Sequence, residues 1–181
     1  MHRTRKESST KLPIPRKGTK YVARASSNLD NSVTVVLAVR DMLGLAKTAK
    51  EVKRMIHQKL LKINGRAVKE YNQSIQLFNI LEADKHYELS LLPTRKFVLI
   101  PAKNKESRLC KVVDRRLVTG NKIQLNLHDG TNIITKEKIA VGDSVYLDFD
   151  NKVKKVVSLE KGKEVLIISG KYMGNKAKIE S

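Results

Sequence analysis

The chain has 181 residues, enough for one compact domain or for two to three small modules. Tryptophan is absent and aromatic residues make up only 4% of the chain, which excludes a large aromatic core. Because 37 Lys and Arg residues face 18 Asp and Glu residues, the net charge is +19 and the pI is about 10.1, typical of a protein that binds a polyanion. The alternative is a soluble protein whose lysines merely solvate it. In such a protein, acidic residues would be interleaved with the basic residues.

Membrane and secreted proteins are not expected from this sequence. The longest purely apolar stretch, Val35–Val39, is far shorter than the roughly 18 residues that span a bilayer. Residues 1–17 lack the hydrophobic segment of a secretory signal, and Pro13 and Pro15 would break the helix of a transit peptide. The single cysteine, Cys110, excludes an internal disulfide and is typical of a reducing compartment. We therefore expect a soluble cytoplasmic protein that binds nucleic acid in preference to a membrane surface.

Residues 1–35 are predicted to form a basic N-terminal arm. Its acids are only Glu7 and Asp30, and few apolar side chains are available to fold it. Leu12–Pro15 holds it extended, so we expect it to become ordered only on its partner. A disordered, solubilising tail is the alternative. The basic residues of the arm are Arg3, Arg5, Lys6, Lys11, Arg16, Lys17, Lys20 and Arg24.

Two helices are predicted after the arm. The first begins near Val33, has apolar residues at helical spacing and ends at Gly44. In the second, Thr48 and Glu51 form a capping box, in which a hydroxyl and a carboxylate satisfy backbone amides of the first turn. The second helix is predicted to bury Ala49, Val52, Met55 and Ile56 and to expose a cationic face of Lys47, Lys50, Lys53, Arg54 and His57.

A hairpin is predicted at Asn64-Gly65, because both central residues of a type I′ turn need positive φ. Lys62, Arg66 and Lys69 flank its tip. Short strands at roughly ten-residue spacing follow, with a turn at 140–143, and they predict a small antiparallel β-barrel. The predicted strands are 97–100, 109–113, 122–127, 131–135, 144–149 and 153–159. In the last segment, Gly170 and Gly174 are expected in a tight loop between two further strands.

No catalytic or metal-binding constellation is found. His2, His57, His86 and His128 are scattered, no dinucleotide or phosphate-binding glycine loop occurs, and zinc ligands are missing. Cys110 lies among apolar strand residues, so it is predicted to be a packed residue and not a nucleophile. We expect no cofactor.

The adjacent pair His128 and Asp129 could suggest acid–base chemistry. Ile123, Leu125 and Leu127 alternate with polar residues, however, and Asp129-Gly130 supplies turn chemistry. Adjacent side chains of a strand point to opposite faces, so the two would orient each other poorly. The prediction is a hairpin corner, at which Asn126 and His128 contact RNA by hydrogen bonds.

Several strings resemble a known family in order and spacing. They are R-L-C-K-V-V (108–113), I-Q-L-N-L-H-D-G-T-N-I (123–133), P-R-K-G-T-K-Y-V (15–22), V-R-D-M-L-G-L-A (39–46) and T-A-K-E-V-K-R-M-I (48–56). Together they resemble the S4e family of small-subunit ribosomal proteins of archaea and eukaryotes. The resemblance extends over nearly the whole chain.

This resemblance implies an α+β protein with four parts. They are the basic arm (1–35), an alpha-L type RNA-binding module (36–92), a central β-barrel domain (93–155) and a C-terminal SH3-like KOW motif (156–181). It also implies a structural role in the small ribosomal subunit without catalytic activity. The implied partners are small-subunit ribosomal RNA, read mainly by shape, and neighbouring small-subunit proteins, with no membrane and no homo-oligomer.

The predicted RNA-binding residues come partly from charge and partly from the resemblance. They are Arg3, Arg5, Lys6, Arg16, Lys17, Lys20, Tyr21, Lys47, Lys50, Arg54, Asn64, Gly65, Arg66, Asn126, His128 and Lys171. Tyr21 stands where the family usually has a stacking Trp, and Thr131 stands where Arg is common, so one phosphate contact is expected to be missing there. The chain also stops at Ser181, sooner than most relatives.

Three function hypotheses follow. The first is a ribosomal RNA-binding structural protein of the cytoplasmic ribosome. The second is an RNA-modifying enzyme that uses the alpha-L module for delivery, which would need a catalytic domain that the strand-rich remainder does not resemble. The third is a free-standing RNA chaperone or translation regulator with the same modules, since the binding chemistry would be shared.

Overall fold

The structure, a computed structural model, describes residues 2–118, 120 and 122–180. Across these residues the protein is mainly β, so the predicted α+β class overstates its helix content. The helical segments are α1 (Val35–Leu37), which continues as a π-helical turn over Ala38–Met42, and α2 (Ala49–His57). The strands are β1 (His2–Thr4), β2 (Tyr21–Ala23), β3 (Ser32–Thr34), β4 (Lys62–Ile63), β5 (Arg66–Ala67), β6 (Ser74–Gln76), β7 (Ile80–Glu82), β8 (His86–Leu91), β9 (Phe97–Pro101), β10 (Ser107–Val118), β11 (Lys122–Leu127), β12 (Asn132–Thr135), β13 (Ser144–Asp148), β14 (Val153–Val157), β15 (Glu164–Leu166) and β16 (Lys176–Lys178).

The chain forms two compact units. The first combines Met1–Lys103 with Leu166–Lys176, and the second combines Asn104–Val165 with Ala177–Ser181. The domain boundary predicted between residues 92 and 93 falls in the turn of the β8–β9 hairpin, whose strands pair through five residues each. The first compact unit extends past this hairpin to Lys103.

An antiparallel sheet with the strand order β5-β4-β7-β8-β9 forms the centre of the first unit. Leu61, Leu81 and Leu89 are fully buried in its core. From α2, Val52 and Ile56 are buried and Ala49 and Met55 pack against the core, which confirms the predicted apolar stripe. Burying each large aliphatic side chain contributes about 1.5–3 kcal/mol, so the stripe holds α2 and its exposed face in one orientation.

The first helix begins later than predicted. Ser32–Thr34 is a buried strand because it pairs with Ser74–Gln76, some forty residues away in the chain. Thr34 then caps the helix by accepting a hydrogen bond from the Leu37 amide at 3.4 Å. The amide of Leu43 donates to the Ala38 carbonyl at 3.0 Å, which is the wider spacing of the π-helical turn.

The N-terminal arm is folded as part of the first unit, and the expectation that it orders only on its partner is wrong. β1 and β2 pair antiparallel, and Leu12 and Val22 are only 6% and 7% exposed within the core. The Phe97 amide donates to the Lys11 carbonyl at 2.9 Å. The few apolar side chains of the arm are therefore sufficient, because an existing core receives them.

A second antiparallel sheet, with the order β12-β11-β10-β13-β14, builds the second unit. The long strand β10 pairs with β13 through Ser107–Lys111 and with β11 through Val112–Val118, with a register shift between Val112 and Asp114. Cys110, Leu125 and Leu147 are fully buried on the inner face. Among the described strands no pairing joins β12 to β14, so the sheet is open where a closed barrel was predicted.

The two last strands pair with each other and enclose the segment 167–175. Gly170 and Gly174 both have φ of +88°, as the predicted glycine turns require. A Cβ at Gly174 would overlap the carbonyl group of Leu92, whereas a Cβ at Gly170 meets nothing. Glycine is therefore required at 174 for two reasons: the positive φ and the close approach of the Leu92 backbone.

Replacing Gly174 with alanine is expected to loosen the segment 167–175, and Gly170→Ala is the matched control. The control should lose about 1–2 kcal/mol of unfolding free energy through its left-handed backbone alone. Gly174→Ala should lose at least about twice as much, because Leu92 or the loop must also move. Urea unfolding measures both losses, and equal losses would contradict the backbone contact.

Candidate nucleic-acid interface

The second helix begins with the predicted capping box. The Thr48 hydroxyl accepts a hydrogen bond from the Glu51 amide at 3.3 Å, and a Glu51 carboxylate oxygen accepts one from the Lys47 amide at 2.7 Å. Hydrogen bonds to the Glu51 carboxylate, first from the Lys47 amide and then from the Thr48 side chain, lower the pKa of this carboxyl below its usual value. The stabilisation is therefore fully present above pH 4.5 and is lost as the pH falls through the lowered pKa.

The outward side of α2 carries Lys47, Lys50, Lys53, Arg54 and His57, all exposed as predicted. In the described part of the chain none of these side chains forms an ion pair with a carboxylate. Lys47 and Lys50 lie at the helix N-terminus, where the helix dipole disfavours positive charge. The helix dipole therefore does not explain them, whereas an external anion would.

The Asn64-Gly65 turn is confirmed, with φ of +50° and +76°. Its polar groups are used within the protein, because Asn64 Oδ1 accepts from the Ile80 amide at 2.9 Å and the Gly65 amide donates to Glu82 Oε1 at 3.1 Å. Of the three turn residues predicted to contact RNA, Arg66 is the exposed one with a charged side chain. Asn64 and Gly65 shape the turn that presents it.

In the arm, two predicted RNA-binding arginines hold the arm together. Arg5 donates to the carbonyls of Pro15 and Thr19 at 2.6 and 2.7 Å and to the Thr19 hydroxyl at 3.0 Å. Arg3 donates to the Glu7 carbonyl and lies 3.9 Å from the Asp30 carboxylate. These contacts close a loop that carries further exposed cations of the predicted set, Lys6, Arg16, Lys17 and Lys20.

Tyr21 presents an aromatic ring to solvent beside those cations. The residue is 48% exposed in a short strand, and its ring makes an edge contact with His2, with 4.4 Å between ring centroids. The ammonium of Lys20 lies 5.4 Å from the Tyr21 centroid. Lys171, in the segment 167–175, is likewise exposed beside the ring of Tyr172, at 5.7 Å. Both pairs can contact a base and a phosphate together.

In the second unit, the predicted contacts Asn126 and His128 are engaged internally. Asn126 donates to Asp114 Oδ2 at 3.2 Å and accepts from Gln124 Nε2 at 3.0 Å. His128 Nδ1 accepts from the Lys111 amide at 3.1 Å, and its own amide donates to the Lys111 carbonyl at 3.0 Å. These bonds join the end of β11 to β10. The two residues therefore stabilise the sheet, a role that the sequence does not indicate.

The Asp129 carboxylate, next to His128, forms a buried ion pair with Arg108. The Nε–Oδ2 distance is 3.1 Å, and the side chains are only 3% and 5% exposed. Arg108 also donates to the Thr131 hydroxyl at 3.1 Å and to Asn151 Oδ1 at 3.0 Å. Gly130 has φ of +80°, as the predicted hairpin corner requires. Thr131, where a missing phosphate contact was expected, thus has a partner inside the protein.

Comparisons with known proteins agree with this architecture. A sequence profile described as "Ribosomal family S4e" matches residues 83–154. Small ribosomal subunit protein eS4 of Methanococcus maripaludis is 33% identical over 182 residues, which cover 92% of this chain and 75% of the relative. The chain belongs to the S4e family of ribosomal proteins.

Further relatives of the S4e family extend the likeness. The eS4 protein of Methanospirillum hungatei is 31% identical, over 89% of this chain and 71% of its own. The crystal structure of the 30S ribosomal protein S4e from Thermoplasma acidophilum matches with a TM-score of 0.73 and 27% identity, over 84% of this chain and 82% of that one. The profile match covers β8 to β13 and part of β14, whereas the matches to whole relatives take in 84–92% of this chain.

S4e is a family of ribosomal proteins and not of enzymes, so the RNA-modifying enzyme hypothesis is not retained. Among the described residues, no three His, Cys, Asp or Glu side chains lie close enough to share a metal ion. No helix of the described chain is long and apolar enough to cross a membrane.

Cys110 is a packed strand residue, as predicted. It has no exposed surface, and its burial, with Asp129 nearby as a second cause, raises the pKa of the thiol to about 12. Because the thiolate is the reactive form, Cys110 should react with a thiol reagent at pH 8 about 1000-fold more slowly than a free cysteine. The absorbance of the group that the reagent releases measures the rate. The same protein unfolded in urea is the control, because its thiol is exposed. Rapid reaction of the folded protein would contradict the burial.

Two interactions of the fold are not evident from the sequence. In the sequence Arg108 stands out only as part of a string that resembles the family, because its buried bonds to Asp129, Thr131 and Asn151 depend on distant segments. Lys53 was placed on the cationic face, but its contact with the ring of Tyr71, 4.9 Å from the centroid, was not foreseen. The sequence signal that could have indicated this contact is Tyr71 itself, an aromatic residue that follows the basic helix in the chain.

Proposed function

We propose that this S4e protein is a structural constituent of the small ribosomal subunit and binds ribosomal RNA through the cationic face of α2. The observation that carries the proposal is a rigid helix in a chain of the S4e family, whose exposed cations form no ion pair with a carboxylate of the described residues. Phosphate contacts dominate affinity for nucleic acid, and they need positive charge held on a shape that fits the backbone. Capping and core burial supply that rigidity.

We further propose the modular organisation that the family resemblance implies. Residues 36–92, with two helical segments followed by an Asn-Gly hairpin, are the alpha-L type RNA-binding module. Residues 93–155 are a central β domain, and residues 156–181, with their glycine loop between β15 and β16, are a KOW motif. The basic arm 1–35 completes the RNA-binding surface of the chain.

Within this proposal the predicted RNA-binding residues form two groups, those with hydrogen bonds inside the protein and those that contact RNA directly. Asn64, Gly65, Asn126 and His128, together with Arg3 and Arg5, position neighbouring groups by internal hydrogen bonds. The direct RNA contacts are the exposed side chains Lys6, Arg16, Lys17, Lys20, Tyr21, Lys47, Lys50, Arg54, Arg66 and Lys171. Since cations and stacking rings recur and base-reading pairs do not, the protein recognises structured RNA mainly by shape.

Sedimentation of cell lysate tests the ribosomal assignment. The protein should co-migrate with small ribosomal subunits through a moderate-salt wash, because its partners are the subunit RNA and neighbouring subunit proteins in the cytoplasm. Recovery only in the free fraction would overturn the assignment and favour a free-standing RNA chaperone or translation regulator.

Salt dependence tests the electrostatic part of the proposal. With six to ten phosphate contacts, affinity for a small-subunit RNA fragment should fall roughly 10³–10⁵-fold between 50 and 200 mM salt, because bound counterions are released from the RNA. Fluorescence anisotropy at several salt concentrations measures the slope. A flat response would remove the electrostatic basis of binding.

A further inference from the structure

A cavity of about 510 Å³ lies beside the last turns of α2, in the first unit. A volume of this order accommodates a small ligand. Lys53 and His57 belong to the cationic face of α2, but none of the residues around the cavity is among the sixteen individually predicted RNA contacts. Its lining includes two lysines, an imidazole, an aromatic ring, an amide and a carboxylate, from Lys53, His57, Lys69, Glu70, Tyr71 and Asn72.

The wall opposite α2 is held in place by backbone hydrogen bonds. The Tyr71 carbonyl accepts from the Val36 amide at 3.0 Å, and the Asn72 carbonyl accepts from the Ser26 amide at 3.1 Å. The Lys69 amide donates to Gln73 Oε1 at 3.1 Å. Because segments distant in the chain hold this wall from both sides, the cavity exists before any ligand arrives.

The Tyr71 ring offers a face for stacking. Lys53 covers it now, with its ammonium 4.9 Å from the ring centroid, but the Lys53 side chain is exposed and can move. A cation over an exposed ring contributes less than a nucleobase stacked on it, since one stacked base contributes about 5–150-fold in affinity. A base can therefore replace the ammonium, which leaves Lys53 to pair with a phosphate.

Asn72 adds an unused hydrogen-bonding group. The residue is 9% exposed, and among the described residues its buried Oδ1 has no hydrogen-bond partner. A buried amide oxygen without a donor is unfavourable, so a ligand that supplies one is favoured. The Watson–Crick edge of every base carries an N–H group that could donate to this oxygen.

We propose that this cavity receives one unstacked nucleotide of the bound RNA, an inference that rests on the proposed RNA-binding function. The base stacks on Tyr71 and donates to Asn72, and its phosphate pairs with Lys53 and Lys69. Glu70, at the exposed rim, offsets one of the two lysine charges. This balance favours the single charge of an RNA phosphodiester over the double charge of a free mononucleotide.

Substitution of Tyr71 tests the stacking. Tyr71→Leu should weaken binding of a small-subunit RNA fragment by about 5–150-fold without changing the salt slope, because no phosphate contact is lost. Tyr71→Phe, which keeps the ring, is the matched control and should bind as the wild type does. Wild-type affinity in Tyr71→Leu would overturn the cavity site, whereas failure of the wild-type protein to bind RNA would overturn the proposed function itself.

Nuclear magnetic resonance titration of the full chain distinguishes the two sources of a nucleotide. Short single-stranded RNA should shift the signals of Tyr71 and of the Asn72 amide, and the four nucleoside 5′-monophosphates should shift them much less at equal concentration. Equal or larger shifts with a mononucleotide would overturn the assignment to RNA. The absence of shifts with both probes would overturn the site.

Discussion

Alanine at Lys50, Arg54 and Arg66 together is expected to lower affinity for small-subunit ribosomal RNA by about 100-fold at 0.15 M salt and to reduce the salt slope by about 2–3. The physical reason is the loss of three phosphate contacts and of the counterions that each releases. The fold should be retained, because all three side chains are exposed and lie off the buried stripe. Fluorescence anisotropy measures affinity, and circular dichroism checks the fold.

A second triple variant separates local contacts from overall charge. Lys136, Lys138 and Lys152 are exposed residues of the second unit, and their replacement by alanine changes the net charge equally. This control should lose only a few-fold in affinity. Equal losses in the two variants would show that RNA binding depends on total charge and not on the α2 face and its neighbouring hairpin.

Loss of the buried ion pair should have the largest effect on stability. Asp129→Ala is expected to lower the free energy of unfolding by about 3–5 kcal/mol, because it leaves the Arg108 guanidinium buried without its carboxylate. The variant also removes the acceptor of the Thr131 amide, at 2.9 Å, which shapes the hairpin corner. Urea unfolding followed by circular dichroism measures the loss.

An exposed ion pair of the same unit provides the control. Glu106 lies 3.4 Å from Lys154 and its side chain is 85% exposed, so Glu106→Ala should cost at most about 1 kcal/mol. The double variant Arg108→Met with Asp129→Asn removes both charges and should be more stable than Asp129→Ala. An Asp129→Ala loss as small as that of Glu106→Ala would contradict the importance of burial.

Features defined by neighbours in the chain were predicted well. The capping box of Thr48 and Glu51 joins residues three apart, and the Asn64-Gly65 turn depends on two adjacent backbone conformations. The alternation over Lys122–Leu127 correctly predicted a strand with Ile123, Leu125 and Leu127 buried. In each case the stabilising interaction or the pattern lies within one local segment, so the residue types alone carry the information.

Features decided by distant partners were predicted poorly. Val33 was expected in a helix but pairs with Ile75 in a strand, and Leu12 orders the arm by entering a core built from later segments. Arg5 and His128 have the chemistry of RNA contacts, yet their partners lie fourteen and seventeen residues away and hold them inside the fold. Composition could not distinguish such cations and acceptors from the exposed ones.

The sequence by itself determined the polyanion-binding character, the capped basic helix and the family, because net charge, short-range hydrogen bonds and residue order are properties of the chain. Only the tertiary structure decided which basic and polar side chains remain available to RNA. That selection depends on hydrogen bonds and burial between remote segments: they engage Arg5 and Arg108 internally, and they leave Lys50, Arg54 and the cavity beside Tyr71 facing solvent.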